Sequence, residues 1–258
     1  MEQVAVVIPM YKSELDSFSR QSLTQTCNIL YKYPLVVIHP EGLDMCTIKN
    51  EFPLLQFKQF KPNFFRGIMG YNRLMLSSEL YSAFLDYEYM LICQTDAYIF
   101  RDELIDWCNC GYDYVGAPWL RKKVYDMPMI KQVMQLSLWW KHSKGEPSKQ
   151  DLYNKIGNGG LSLRKVQSHY NVTLSKKELI EKYTNRDKKF HLYNEDVFWA
   201  LEPEDFYYPT SEEALLFAFD KYPELSYQIT GGKLPMGCHA WYKRKMKHFW
   251  ERFIPTAL

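Results

Sequence analysis

The chain has 258 residues, 47% hydrophobic and 24% charged, with 32 Lys and Arg against 30 Asp and Glu for a net charge of +2. Such a mix buries a core in one large α/β domain or two small ones. It excludes disorder as the main state and gives no polyanion-binding signature for the chain as a whole. The 20 Tyr, 15 Phe and 7 Trp raise the aromatic share to 16%. Flat faces with polar tips suit sugar and base stacking, and they serve equally well as core filler.

No run approaches the roughly 20 apolar residues that cross a bilayer. The opening Met-Glu-Gln-Val lacks the basic and apolar regions of a signal peptide. Cys27, Cys46, Cys93, Cys108, Cys110 and Cys238 are too sparse for a disulfide scaffold. The expectation is therefore a cytoplasmic protein with reduced thiols.

Val4 to Pro9 is a continuous apolar run with β-branched residues, as in a strand buried on both faces. Ser13 and Asp16 then provide a cap for a helix running to about Tyr31. Leu35 to His39, closed by Pro40, is a second buried strand. One strand, one helix and one strand in this short span indicate a βαβ unit and a mostly parallel sheet. Apolar residues at helical spacing predict a helix over 71–84, and Tyr89 to Cys93 is a third buried strand. Gln94-Thr95-Asp96 stands at its carboxyl end, the edge where open α/β sheets collect ligands.

Past residue 100 the texture changes. Leu120 to His142 reads as a basic helical segment, and Lys144 to Ser148 as a loop. Gly157-Asn158-Gly159-Gly160 is a tight turn entering Leu161-Ser162-Leu163. Asn194 to Trp199 opens another helix, Gly231 to Gly237 is a turn-rich loop, and Trp241 to Phe253 is a basic, aromatic terminal helix.

Several common motifs nearly match and fail. Gly157-x-Gly159-x-x-Ser162 lacks the third glycine of a dinucleotide fingerprint, and Gly160-x-Ser162-x-Arg164 lacks the closing glycine of a nucleophile elbow. Cys108-x-Cys110 is too tight for ordinary zinc spacing, and Cys238-His239 would have to reach it across the fold. What remains is an ordered set: Asp96 at a strand end, the glycine turn, the acidic pair Glu195-Asp196 at a helix start, and His239. Each has a bland reading. Asp96 can be a strand-end cap, the acidic pair can stabilise a helix dipole, the glycines can be a simple turn, and a lone His is often structural.

Taken together, these residues resemble the GT-A glycosyltransferases, and within them a bacterial family carried as a domain of unknown function. The shared pattern is Val-Val-Ile-Pro-x-Tyr-Lys, Gln-x-Asp-Ala-Tyr-x-Phe-Arg-Asp-Glu-Leu, Gly-Asn-Gly-Gly-x-Ser-Leu-Arg, Asn-Glu-Asp-x-Phe-Trp and Gly-Cys-His-Ala-Trp, spanning Val6 to Trp241. The resemblance implies a GT-A type, Rossmann-like α/β fold in a single domain, its mostly parallel sheet flanked by helices. Residues 1–100 would be the nucleotide-binding half, and 101–258 the acceptor and catalytic half.

It also implies roles. The superfamily's Asp-x-Asp metal motif falls on Gln94-Thr95-Asp96, so only the last carboxylate remains to hold Mn2+ or Mg2+, with His239 as a second contact. The catalytic pair falls on Glu195 and Asp196, with Asp196 as the base of an inverting transfer. Tyr11, Lys12, Arg66, Asn72 and Asp96 are expected at the donor. Trp119, Asn158, Gly159 and Gly160 are expected at the sugar and acceptor. The implied activity is a hexosyltransferase-type transfer from a nucleotide sugar, UDP by superfamily habit, to a bacterial surface glycan or lipid-linked acceptor. The alternative is a non-catalytic carbohydrate-binding protein on the same scaffold. No nucleic-acid partner is expected. In residues 241–258, Lys243, Arg244, Lys245, Lys247 and Arg252 accompany Trp241, Phe249, Trp250 and Phe253. This combination suits weak attachment to the inner membrane face as well as simple docking on the domain.

Overall fold

In the computed structural model, residues 2–144, 147–185 and 191–255 are described. The central sheet has six strands in the order β3-β2-β1-β4-β7-β6: β1 (Glu2–Pro9), β2 (Leu35–Pro40), β3 (Leu55–Phe60), β4 (Tyr87–Cys93), β6 (Tyr114–Gly116) and β7 (Leu161–Lys165). The first four are parallel, while β7 runs antiparallel to both β4 and β6. Alternate side chains of β1 enter different cores. Val4, Val6 and Ile8 pack on one face, and Ala5 and Val7 on the other. That is why the run is apolar at consecutive positions. A small second sheet, β5 (Ala97–Ile99), β9 (Gly237–His239) and β8 (Ala218–Phe219), sits past the carboxyl end of β4.

The front half follows the sequence reading closely. Asp16 caps the helix Ser17–Ile29, its carboxylate accepting from the Ser19 amide at 2.8 Å. The helix expected over 71–84 is two helices, Gly67–Met75 and Ser78–Ser82. Ser77 accepts from the Leu80 amide at 3.1 Å and starts the second. Strands β3, β5, β6, β8 and β9 carry too few residues, or too mixed a burial, to stand out by periodicity.

The rear half departs further. The segment 120–142 divides into a single turn, Lys123–Asp126, and a helix, Pro128–Ser143, in which no residue is buried. Within the loop expected at 144–148, residues 145 and 146 lie outside the described ones. The terminal helix spans only Arg244–Trp250. Its aromatics face inward: Trp241, Phe249 and Trp250 are at most 3% exposed and pack with Tyr98, Leu215 and Phe219 in a third core cluster. The aromatic anchor expected of residues 241–258 is therefore absent, because those rings fill the domain. No helix among the described residues is long and apolar enough to cross a membrane.

Candidate active site

Strand β4 ends at Cys93, and a tight turn closed by the Ala97 amide on the Gln94 carbonyl (2.9 Å) displays Asp96. Pairing of β5 with β9 sets Ala97 opposite His239, bringing Asp96 and His239, 143 positions apart, into one site. His239 Nε2 lies 3.1 Å from Asp96 Oδ1, and its Nδ1 lies 3.3 Å from Asp220 Oδ1. Lys243 Nζ stands 3.4 Å from Asp96 Oδ2. Burial alone would raise the Asp96 pKa, but His239 and Lys243 outweigh it and hold the carboxyl at about 2. Burial likewise opposes charge on His239, and the flanking carboxylates of Asp220 and Asp96 overcome it, raising the imidazole to about 9.

This corner fits a divalent cation. His239 Nε2 is buried beside a carboxylate oxygen yet completes no well-aligned hydrogen bond, and an N,O pair suits manganese or magnesium with phosphate and water oxygens filling the remaining positions. Asp220 holds the opposite ring nitrogen, as an outer carboxylate does for a metal-bound histidine. Among the described residues no three His, Cys, Asp or Glu converge on one point, and all six cysteines are free. Cys108, Cys110 and Cys238 therefore form no zinc site with His239.

The glycine turn is held from three sides. Asn158 adopts φ 73°, and its side-chain oxygen accepts from the Gly160 amide at 3.1 Å. A Cβ on Gly157 would strike the Trp119 ring, one on Gly159 would strike Glu195 Oε1, and one on Gly160 would strike the His239 ring. The glycines are there because three side chains press against bare backbone. Gly160 also fastens the turn to the end of β4, its carbonyl accepting from the Gln94 amide at 2.8 Å.

Glu195 and Asp196 open the helix Glu195–Leu201 and have opposite fates. Glu195 is 2% exposed, and Arg164 Nη2 donates to both its carboxylate oxygens at 3.0 and 3.2 Å. Arg164 also donates to Tyr81 Oη and Ser162 Oγ. Glu195 is thus paired with a buried guanidinium while it braces the glycine turn, and burial raises its carboxyl to about 7. Asp196 is half-buried and accepts from the Val197 amide at 3.0 Å. Burial raises its pKa, reinforced by the negative charge of Asp220.

Two cavities flank this chemistry. The first, about 470 Å3, is lined by Tyr11, Lys12 and Asp96 together with Phe64, Phe65, Tyr71 and Tyr242. The second, about 460 Å3, is lined by Trp119 and Asp196 with lysines and tyrosines. Two donor candidates fall outside. Asn72 is 3% exposed, its side-chain oxygen accepting from the Glu195 amide at 3.1 Å and its amide donating to Asn194 at 3.3 Å. It caps the Glu195 helix from a neighbouring element, which corrects its expected role at the donor. Arg66 is exposed, does not line the first cavity and makes no ion pair among the described residues. Sequence reasoning missed Asp220, Lys243 and Arg164. An arginine within the apolar strand β7 is a legible sign of a buried pair, whereas Asp220 follows a two-residue strand that carries no periodic signal.

The fold is that of the GT-A glycosyltransferases. It is similar to the galactosyltransferase LgtC in complex with donor and acceptor sugar analogs, at 11% identity and TM-score 0.57, covering 98% of this chain and 97% of that one. It is also similar to mouse xyloside xylosyltransferase 1 (8% identity, TM-score 0.52, 95% and 99% covered). A third likeness is to core-mannan synthase A of Aspergillus fumigatus in its Mn/GDP form (9% identity, TM-score 0.53, 78% and 69% covered). No curated protein matches the chain. The chain belongs to the DUF5672 family, described as a protein of unknown function, whose profile matches residues 54–239.

Proposed function

We propose that the protein is a nucleotide-sugar-dependent glycosyltransferase, with the donor in the first cavity and the acceptor in the second. One observation carries this reading. The glycine turn packs against Trp119 of the second cavity at Gly157 and against His239, the partner of Asp96, at Gly160, which supports placing Asp96 and Asp196 on either side of one turn. The first cavity draws its lining from residues 9–96 and Tyr242, and the second from residues 119–222, which supports a donor half and an acceptor half.

In this reading Tyr11 and Lys12 meet the nucleoside, for which uridine is proposed, and Asp96 with His239 faces the diphosphate. Asp96 and His239 would hold Mn2+ or Mg2+ there, and the ion would offset charge on the leaving diphosphate; the Aspergillus neighbour is in a Mn/GDP form. Trp119, Asn158, Gly159 and Gly160 border the sugar. Asp196 takes the acceptor hydroxyl proton as that oxygen bonds to the anomeric carbon, and the carbon–oxygen bond to the diphosphate breaks with its electron pair leaving on the phosphate. Direct displacement inverts the anomeric centre. The acceptor is a glycan, free or lipid-linked. Membrane contact, lost for residues 241–258, passes to the helix Pro128–Ser143. Met129, Val133, Leu136 and Trp140 share one of its faces and are 53–80% exposed.

The test is a panel of nucleotide sugars with manganese, read by thermal shift, followed by turnover and the anomeric configuration of the product. Stabilisation by a UDP-sugar with formation of an inverted glycoside is expected. Donor binding with neither transfer nor hydrolysis would leave a carbohydrate-binding protein, and retention would remove Asp196 as the displacing base.

A further inference from the structure

The second cavity has a chemistry that the transferase reading alone does not require. Its lining carries Lys122, Lys149 and Lys221, and among the described residues the only carboxylate there is Asp196. None of these lysines forms an ion pair with a carboxylate among the described residues, although ion pairs are common elsewhere on the surface. Lys122 instead places its ammonium 4.3 Å over the Tyr222 ring. The walls are flat and aromatic. Tyr125 and Tyr153 stack at 5.6 Å, and Trp119 stands against the glycine turn. Rings of this kind take the apolar face of a pyranose. Lysine ammonium groups gathered in one cavity without an ion-paired carboxylate among the described residues take an anion, and lysine binds phosphate as a compact point charge.

We infer that the second cavity binds a phosphate-bearing sugar, its ring stacked on Trp119 and the tyrosines and its phosphate held by Lys122, Lys149 and Lys221. This deepens the proposed function by naming the acceptor class, and it rests on that reading only for calling the ligand an acceptor. Such a ligand has two sources, a soluble sugar phosphate or a sugar joined through diphosphate to a lipid. In both, an unesterified hydroxyl reaches Asp196 while the anionic group stays at the lysine rim. The phosphate contributes binding, not chemistry.

Isothermal titration of the full chain tests this without turnover. The ligands are glucose 1-phosphate, glucose, glucuronic acid, and glucose linked by diphosphate to a short isoprenyl chain. Titrations are run without divalent cation, with and without saturating UDP. The phosphorylated ligands are expected to bind at least about tenfold more tightly than glucose, with an advantage that shrinks as salt rises. Lys122→Gln, Lys149→Gln and Lys221→Gln combined should reduce them to the level of glucose, and Trp119→Ala should weaken all four. Tighter binding of the diphosphate-linked sugar assigns the lipid source, and equal binding assigns the soluble one. The inference is overturned by equal affinity for glucose and its phosphate, by stronger binding of glucuronic acid than of either phosphorylated ligand, by an unchanged phosphate advantage in a folded triple variant, or by loss of that advantage under UDP. Failure of UDP to bind in a separate titration with manganese would instead sink the donor reading and leave this one standing.

Discussion

The two cavities differ by only about 10 Å3, yet one is walled by Met10, Phe64, Phe65, Tyr71 and Tyr242 with the carboxylates of Asp16 and Asp96, and the other alternates lysines with aromatic rings. Their construction differs as well. The first opens from loops that follow strands of the parallel sheet, so its shape is set by the most regular part of the molecule. The second is assembled from the segments before and after the helix Pro128–Ser143, the start of the Glu195 helix and the turn after β8. A nucleoside is a nearly constant ligand, and a regular scaffold serves it. Acceptors vary, and loops are the part of a fold that can vary with them.

Behind the glycine turn that stands between the cavities lies the buried Arg164–Glu195 pair, and breaking it should have the largest effect. Arg164→Met leaves a buried carboxylate without its partner, which costs about 3–5 kcal/mol of stability by chemical denaturation. A loss below about 1 kcal/mol would show that the pair is not a structural wall. Next in size, Asp196→Asn should lower turnover at least about a hundredfold while UDP binding persists, because only the second cavity loses its base. Asp96→Asn should do the reverse at the first cavity. UDP affinity without metal stays close to normal while its enhancement by manganese, taken as at least about tenfold, disappears. Equal damage by both variants to UDP binding would abolish the division of labour.

A smaller effect separates the carboxylates by pH. Asp196 must be ionised to accept a proton, and burial raises its pKa, so the acid limb of turnover should fall above the range of an ordinary aspartate. A limb in the ordinary range would remove it as the base. The smallest effect concerns the helix Pro128–Ser143. Val133→Ser with Trp140→Ser should reduce co-sedimentation with anionic vesicles at low salt, while Arg244→Gln with Lys245→Gln leaves it unchanged. The opposite pattern would return attachment to the chain terminus.

The front of the sheet was legible because β1, β2 and β4 are buried on both faces and read as unbroken apolar runs. Asp96 was legible for the same reason, since a strand that can be seen shows where it ends. Glu195 and Asp196 were visible as a pair but not as individuals. Which of two adjacent carboxylates meets an arginine 31 positions away is decided by helix phase and by Asn72, an interaction across the fold. The terminal aromatics misled for a related reason. A composition that suits an interface also suits a core, and only the second sheet, built from strands of two and three residues, offered them one.

The placement of β7 between β4 and β6 has a consequence for synthesis. While the chain emerges from its amino end, β4 can pair with β1, but its other edge, lined by Met90, Leu91 and Ile92, stays bare until Leu161–Lys165 appears. At common elongation rates that interval is on the order of several seconds, with an apolar strand edge open to other chains. Fragments ending before Leu161 should accumulate as aggregates rather than as small folded domains, because a strand from the rear of the chain seals the sheet begun at its front.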